Sequence, residues 1–189
     1  MRATHLLCMR EITLQDATPA ESTVRLAAGG DELAFARLVA EHNAPMARVA
    51  YFIAGDAETA SEAVQRAWSV AWRRLRSLRD PERVGPWLVS IAANETRQLV
   101  RQQRRRSIVE VSTAADDNSG RDPADYIGVV DLGRALRKLK PDQRSLLALR
   151  YAAGLDSTQI GAVTGMSASG VRTRLARLLD RLRVDLDDA

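Results

Sequence analysis

Apolar residues recur at every third and fourth position over most of this chain, the period of helices that bury one face. Phe35, Leu38, Val39, His42, Met46, Val49, Ala50 and Ile53 form the first such stripe. Gly29-Gly30 predicts a stop before it and Asp31 an N-cap, while Pro45 predicts a kink or a division. Gly55-Asp56 opens a second helix, with Ala60, Ala63, Val64, Ala67, Trp68, Ala71 and Leu75 inward. Its small residues allow a neighbouring helix to approach closely. Residues 76–86 carry Asp80-Pro81-Glu82 and then Gly85-Pro86, and are expected to be a structured loop. A third helix turns Trp87, Leu88, Ile91, Ala92 and Leu99 inward and runs out into Arg101, Arg104, Arg105 and Arg106. None of these helices buries its stripe alone, so together they predict one bundle.

The period is lost over residues 107–127, where Asp116-Asp117-Asn118-Ser119-Gly120-Arg121-Asp122-Pro123 has the composition of a flexible linker. It then returns. Leu132, Ala135, Leu136 and Leu139 predict a short helix ended by Pro141, and Leu146, Leu147 and Tyr151 a second one stopped by Gly154. Asp156-Ser157-Thr158-Gln159 is a capping box that starts a third, with Ile160 and Val163 inward. Thr164-Gly165-Met166-Ser167 predicts a tight turn, and the last helix places Val171, Leu175, Leu178, Leu179 and Leu182 on one face. The expected architecture is all-α. Two small helical domains, 31–106 and 128–189, are joined by a flexible acidic linker over 107–127, and residues 1–30 form a loose N-terminal extension.

Charge sharpens this division. The 189 residues carry a net +4, but residues 31–106 and 128–189 are each +4 and residues 107–127 are −4. Two basic blocks flanking an acidic strip suit a polyanionic partner. Cys8 is the single cysteine, so no intrachain disulfide is available, and His5 and His42 do not make a metal site with it. His42 lies on an apolar stripe and reads as a packing residue. No apolar run is long enough to span a bilayer, and the start lacks the continuous apolar stretch of a signal peptide, so a cytoplasmic protein without membrane insertion is expected.

The last two helices carry the most informative local pattern. A short capped helix, a Gly-containing turn and a longer helix match the helix-turn-helix layout. Ser167 is placed to cap the second helix, whose non-core side carries Ser169, Arg172, Thr173, Arg174 and Arg177. Arginine forks read guanine edges in the major groove and hydroxyls clamp phosphates. Arg172 and Arg174 are expected nearest the DNA, with Arg177 on its backbone.

The chain resembles the extracytoplasmic-function class of bacterial sigma factors. In the front half the resemblance lies in the run Ala60-Ser61-Glu62-Ala63-Val64-Gln65-Arg66-Ala67-Trp68, then Ala71-Trp72, then Trp87 to Asn94. In the back half it lies in Leu136 to Pro141, Arg150 to Leu155, Gln159-Ile160 through Ser167, and Val171 to Leu175. The resemblance implies that 31–106 is sigma region 2 and 128–189 is region 4. It implies that Glu62, Val64, Gln65 and Trp68 dock on the clamp helices of the polymerase β′ subunit. It implies too that the loop at 76–86, with Asn94, Arg97, Arg101, Arg104 and Arg105, reads and melts the −10 element, as a cationic groove holding a displaced strand would do. Region 4 would bind the −35 element as duplex and meet the polymerase β flap, and the acidic linker would thread towards the RNA path. An anti-sigma protein is the further partner implied, and no cofactor or metal.

The chain departs from that pattern at several points. Glu62 stands where an Asp is usual, Arg66 where an acid is usual, Gln98 where an Asp is usual, and Gln159 and Gly161 where Glu and Ala are common. Trp68, Trp72 and Trp87 read as packing residues before they read as platforms for bases. A dimeric helix-turn-helix regulator is the main alternative function, against which stands the lack of a receiver-like alternation of strands and helices. An enzyme is disfavoured: there is no Gly-rich phosphate loop and no nucleophile with a credible base.

Overall fold

The computed structural model describes residues 19–110, 135, 136 and 138–187. Among them are seven α-helices and no strand: α1 (Pro19–Gly29), α2 (Glu32–Ala54), α3 (Ala57–Arg74), α4 (Val84–Glu110), α5 (Pro141–Leu147), α6 (Ser157–Thr164) and α7 (Ala168–Asp187). Most of the acidic linker, Leu132, Cys8 and His5 lie outside the described residues.

Helices α2, α3 and α4 form the front bundle, each packed on both others. Their starts follow from side-chain caps: Asp31 Oδ1 accepts from the Ala34 amide at 2.8 Å, and Asp56 Oδ1 from the Thr59 amide at 2.7 Å. Met46, Val49, Ala50 and Ile53 of α2 are fully buried against Ala63, Ala67 and Ala71 of α3, where alanines keep the two axes close.

Four expectations for the front half change. The N-terminal extension is not loose throughout, because residues 19–29 form α1, which buries Val24 and Ala27 against α2. Two apolar positions three apart make a weak periodic signal, but they suffice when a neighbouring bundle supplies the other half of the contact. Gly30, at φ +103°, closes α1, with its amide and that of Asp31 donating to Ala27 and Leu26. Of the kink or division expected at Pro45, the division does not occur, since α2 runs on through it. The carbonyl that would have accepted from its missing amide belongs to Glu41, which is exposed, so the lost bond costs little there. Gly85-Pro86 does not interrupt the third helix, which begins at Val84: in a first turn the amide that proline lacks has no helical partner to lose. The segment before it keeps two 3₁₀ turns, Leu75–Ser77 and Pro81–Arg83. At the other end α4 continues to Glu110, four residues into the expected linker, since no Gly or Pro stops it.

In the back half, Pro141 ends the preceding turn and is itself the first residue of α5. Helix α5 passes into a π-helical turn, Ala148–Ala152, closed by the Ala153 amide donating to Ala148 O at 3.0 Å. The wider turn rotates Tyr151 off the apolar stripe, and it is 62% exposed rather than inward. Leu155, Ile160, Val171, Leu175, Leu178 and Leu182 are buried, and α6 packs on α7. The back half also rests on the front half. Helix α5 and the π turn pack against α2 and α4, and the buried side chains form one contiguous cluster from Val24 to Leu182.

Candidate nucleic-acid and polymerase interfaces

A groove between α2 and α3 takes in three of the four residues expected to meet polymerase. Val64, Gln65 and Trp68 line it from α3, facing Asn43, Ala47 and Tyr51 of α2. Trp68 is held from two sides: Nε1 donates to Asn43 Oδ1 at 3.0 Å, and its ring meets Phe35 edge-to-face at 5.6 Å. Phe35 meets Trp72 in the same manner at 4.7 Å, so both tryptophans serve packing. Val64 is largely buried and offers the groove only an edge. Glu62 lies outside the groove lining and pairs with Arg66 at 2.6 Å. The α2 wall was missed in the sequence, although Asn43, Ala47 and Tyr51 recur at four-residue spacing off the apolar stripe.

The second surface is a row along α4. Asn94, Arg97, Arg101, Arg104 and Arg105 recur at spacings of three and four, which sets them on one side of the helix. Arg97 Nη1 donates to Asn94 Oδ1 at 3.4 Å. Arg97 and Arg101 also converge on a single carboxylate of the back half, Asp142, with Arg97 Nε at 3.3 Å and Arg101 Nη2 at 3.0 Å from Oδ1. Two residues on, Arg144 is buried, donates to Ala54 O at 3.3 Å and leaves its Nε without a partner. Burial, then the neighbouring Arg104, pull the Arg144 guanidinium below its ordinary pKa, and Asp56 works the other way. In the segment before α4, the Arg76 side chain donates to Ala28 O at 2.9 Å, fastening the first 3₁₀ turn to the end of α1.

The third surface is built on α7. Asp156 accepts from the Thr158 and Gln159 amides, both at 2.8 Å, and Gln159 Oε1 accepts from the Asp156 amide at 2.9 Å. Gln therefore completes the capping box as Glu would. Gly165, at φ +73°, ends α6, and Ser167 Oγ accepts from the Gly170 amide at 3.1 Å to start α7. The turn is tight: a Cβ on Gly161 would lie 2.5 Å from Met166 O. Ser167, Ser169, Thr173, Arg174 and Arg177 line one open cleft, whereas Arg172 is exposed beyond it. Gln143 and Arg181 complete the cleft and were not expected there. Arg181 stands one turn past Arg177, a signal the spacing carries; Gln143 comes from another helix, which local period does not reveal.

Among the described residues no cluster of His, Cys, Asp and Glu is placed to hold a metal ion, and no helix is long and apolar enough to cross a membrane.

Comparison with known proteins agrees with this layout. Residues 38–106 match the model of Sigma-70 region 2, and residues 130–182 that of Sigma-70 region 4. The chain is 31% identical over 170 residues to a probable RNA polymerase sigma factor, RfaY, of Xanthomonas campestris; that match spans 85% of the chain and 42% of RfaY. It is also 31% identical over 160 residues to the ECF RNA polymerase sigma factor RpoE of Cereibacter sphaeroides, covering 81% of this chain and 86% of that one. The solved structure of CnrH in complex with the cytosolic domain of CnrY superposes with a TM-score of 0.63 at 26% identity, covering 89% and 97% of the two chains. With both region models matched in order and a relative aligned along most of its length, the chain belongs to the ECF family of RNA polymerase sigma factors, which direct promoter-specific transcription initiation.

Proposed function

We propose that this sigma factor docks on core RNA polymerase through the α2/α3 groove, with Gln65 and Trp68 at its centre and Glu62 at its rim. The α4 row holds the −10 strand, and α7 reads the −35 duplex. The observation that carries this division is the pairing, in one chain, of a cationic helix row with a separate capped helix-turn-helix. The row suits a displaced single strand, whose phosphates need point charges along a line. The α7 face suits a major groove, where Arg174 and Thr173 reach base edges while Ser167, Ser169 and Arg177 hold phosphate.

In this reading the chain performs no chemistry of its own, needs no cofactor, and works in the cytoplasm with the polymerase. Domains 31–106 and 128–189 divide the labour, and the acidic strip 107–127 runs towards the RNA path. The β flap is the second polymerase contact, through region 4. An anti-sigma protein is its natural antagonist, in keeping with the capture of CnrH with a CnrY domain.

Gel filtration with purified core polymerase, followed by transcription from a promoter library, tests the reading. Co-elution and initiation at a defined set of promoters are expected. A protein that binds duplex DNA yet stays apart from core would be a regulator instead.

A further inference from the structure

We propose that Asp142 makes the back half of the free chain a competitor for promoter DNA, occupying on α4 the place that a −10 strand phosphate takes. This rests on the reading of the α4 row as the −10 contact, and adds to it a closed state that must open first.

The geometry is that of an anion in a fork. Asp142 Oδ1 lies 3.0 Å from Arg101 Nη2 and 3.3 Å from Arg97 Nε, and Oδ2 lies 3.3 Å from Arg101 Nη2. Carboxylate and phosphate make the same charge-assisted bonds to guanidinium, so one excludes the other. Arg97 has only 15% of its side chain exposed in this arrangement, so little of it is open to a strand phosphate while Asp142 is paired with it.

The junction around this pair is built to fit. Asp142 is the second residue of α5, between buried Pro141 and buried Arg144. Arg144 reaches Ala54 O at the end of α2 and crosses Gly55, where a Cβ would stand 2.9 Å from Arg144 Nη1. Gly55, at φ +85°, therefore both ends α2 and makes room for the docked domain. The polar part of this junction is weak, although α5 and the π turn also dock through buried Leu146, Leu147 and Leu149. Asp142 and Arg101 are each more than half exposed, so their ion pair is screened by solvent. Arg144, with Nε unpaired, is a cation that burial disfavours. Asp142 therefore governs access to Arg97 and Arg101 more than it holds the two halves together, and it is displaced when polymerase claims the two domains separately.

The test uses the full chain, a fluorescent single-stranded oligo-dT as probe, and four variants. Asp142→Asn removes the charge and keeps the shape. It is expected to tighten oligonucleotide binding about three- to tenfold, the range of two weak ion pairs released. Glu58→Gln, an equal change of charge at an exposed site on α3, is expected to leave binding within about twofold. Arg97→Ala/Arg101→Ala should weaken binding, and adding Asp142→Asn to it should bring no gain. If Asp142→Asn binds no better than the parent or the Glu58 control, or gains equally without the two arginines, the proposal is overturned. The −10 reading stands or falls separately: it fails if Arg97→Ala/Arg101→Ala leaves promoter melting by the polymerase complex unchanged.

Discussion

Arg66 Nη2 lies 2.6 Å from Glu62 Oε1, one turn earlier on α3, so the cation that departs from the family pattern is neutralised inside its own helix. The pair also holds the Glu62 carboxylate, which is the acid expected to face polymerase. An exposed pair of this spacing contributes no more than about 0.5 kcal/mol, so its breakage should not unsettle the fold. Arg66→Ala is expected to leave the melting temperature within about 2 °C while raising affinity for core polymerase two- to threefold at low salt, by roughly the worth of a released surface pair. Titration of labelled protein with core would measure this. A loss of affinity would mean that Arg66 itself meets the polymerase.

Gly161→Ala should reverse the usual sign of its substitution. In an ordinary helix interior the change stabilises by about 1 kcal/mol. Here the new methyl would sit 2.5 Å from the Met166 carbonyl oxygen, which is backbone and has no rotamer to yield. Forcing α6 and α7 apart is expected to cost about 1–3 kcal/mol. Urea unfolding would show the midpoint fall, and duplex binding through α7 should weaken with it. An unchanged midpoint would show that the turn has slack the geometry does not reveal.

These cases mark what is legible in a single sequence. Asp31, Asp56 and the Asp156–Gln159 box declare helix starts because capping is a local bond between residues two or three apart. The cationic rows on α4 and α7 are legible for the same reason, being periodic. Helix α1 was missed because Val24 and Ala27 make a stripe too short to register without the surface that covers it. Tyr151 was misplaced because one π turn shifts the phase of everything after it. The junction of Asp142 with Arg97 and Arg101 joins residues more than forty positions apart, and no spacing rule contains it.

Arg144→Met should not harm the fold, although Arg144 is among the few buried polar or charged residues. Its Nε has no partner and its hydrogen bond to Ala54 O, at 3.3 Å, is long. A buried cation with no carboxylate paired to it carries a desolvation cost that an apolar chain of similar volume does not. Thermal unfolding is expected to move up or stay level. A clear fall would show that the single bond to the end of α2 outweighs the cost of burying the charge.

The α7 face separates charge from base recognition in a measurable way. Arg177 lines the cleft beside Ser167 and Thr173 and is the cation expected on the phosphate backbone. Each phosphate contact releases condensed counterion, so binding falls with salt at a slope set by the number of such contacts. Arg177→Ala is therefore expected to reduce the salt slope of −35 duplex binding by about 1 and to weaken all sequences alike. Arg174→Ala, if Arg174 meets a base edge, should instead relax preference at one position, at a cost of about 1–3 kcal/mol against the preferred base. Anisotropy titrations at three salt concentrations, with a matched and a mismatched duplex, distinguish the two. Equal loss of slope and of preference in both variants would mean that the helix enters the groove at another angle than its exposed residues imply.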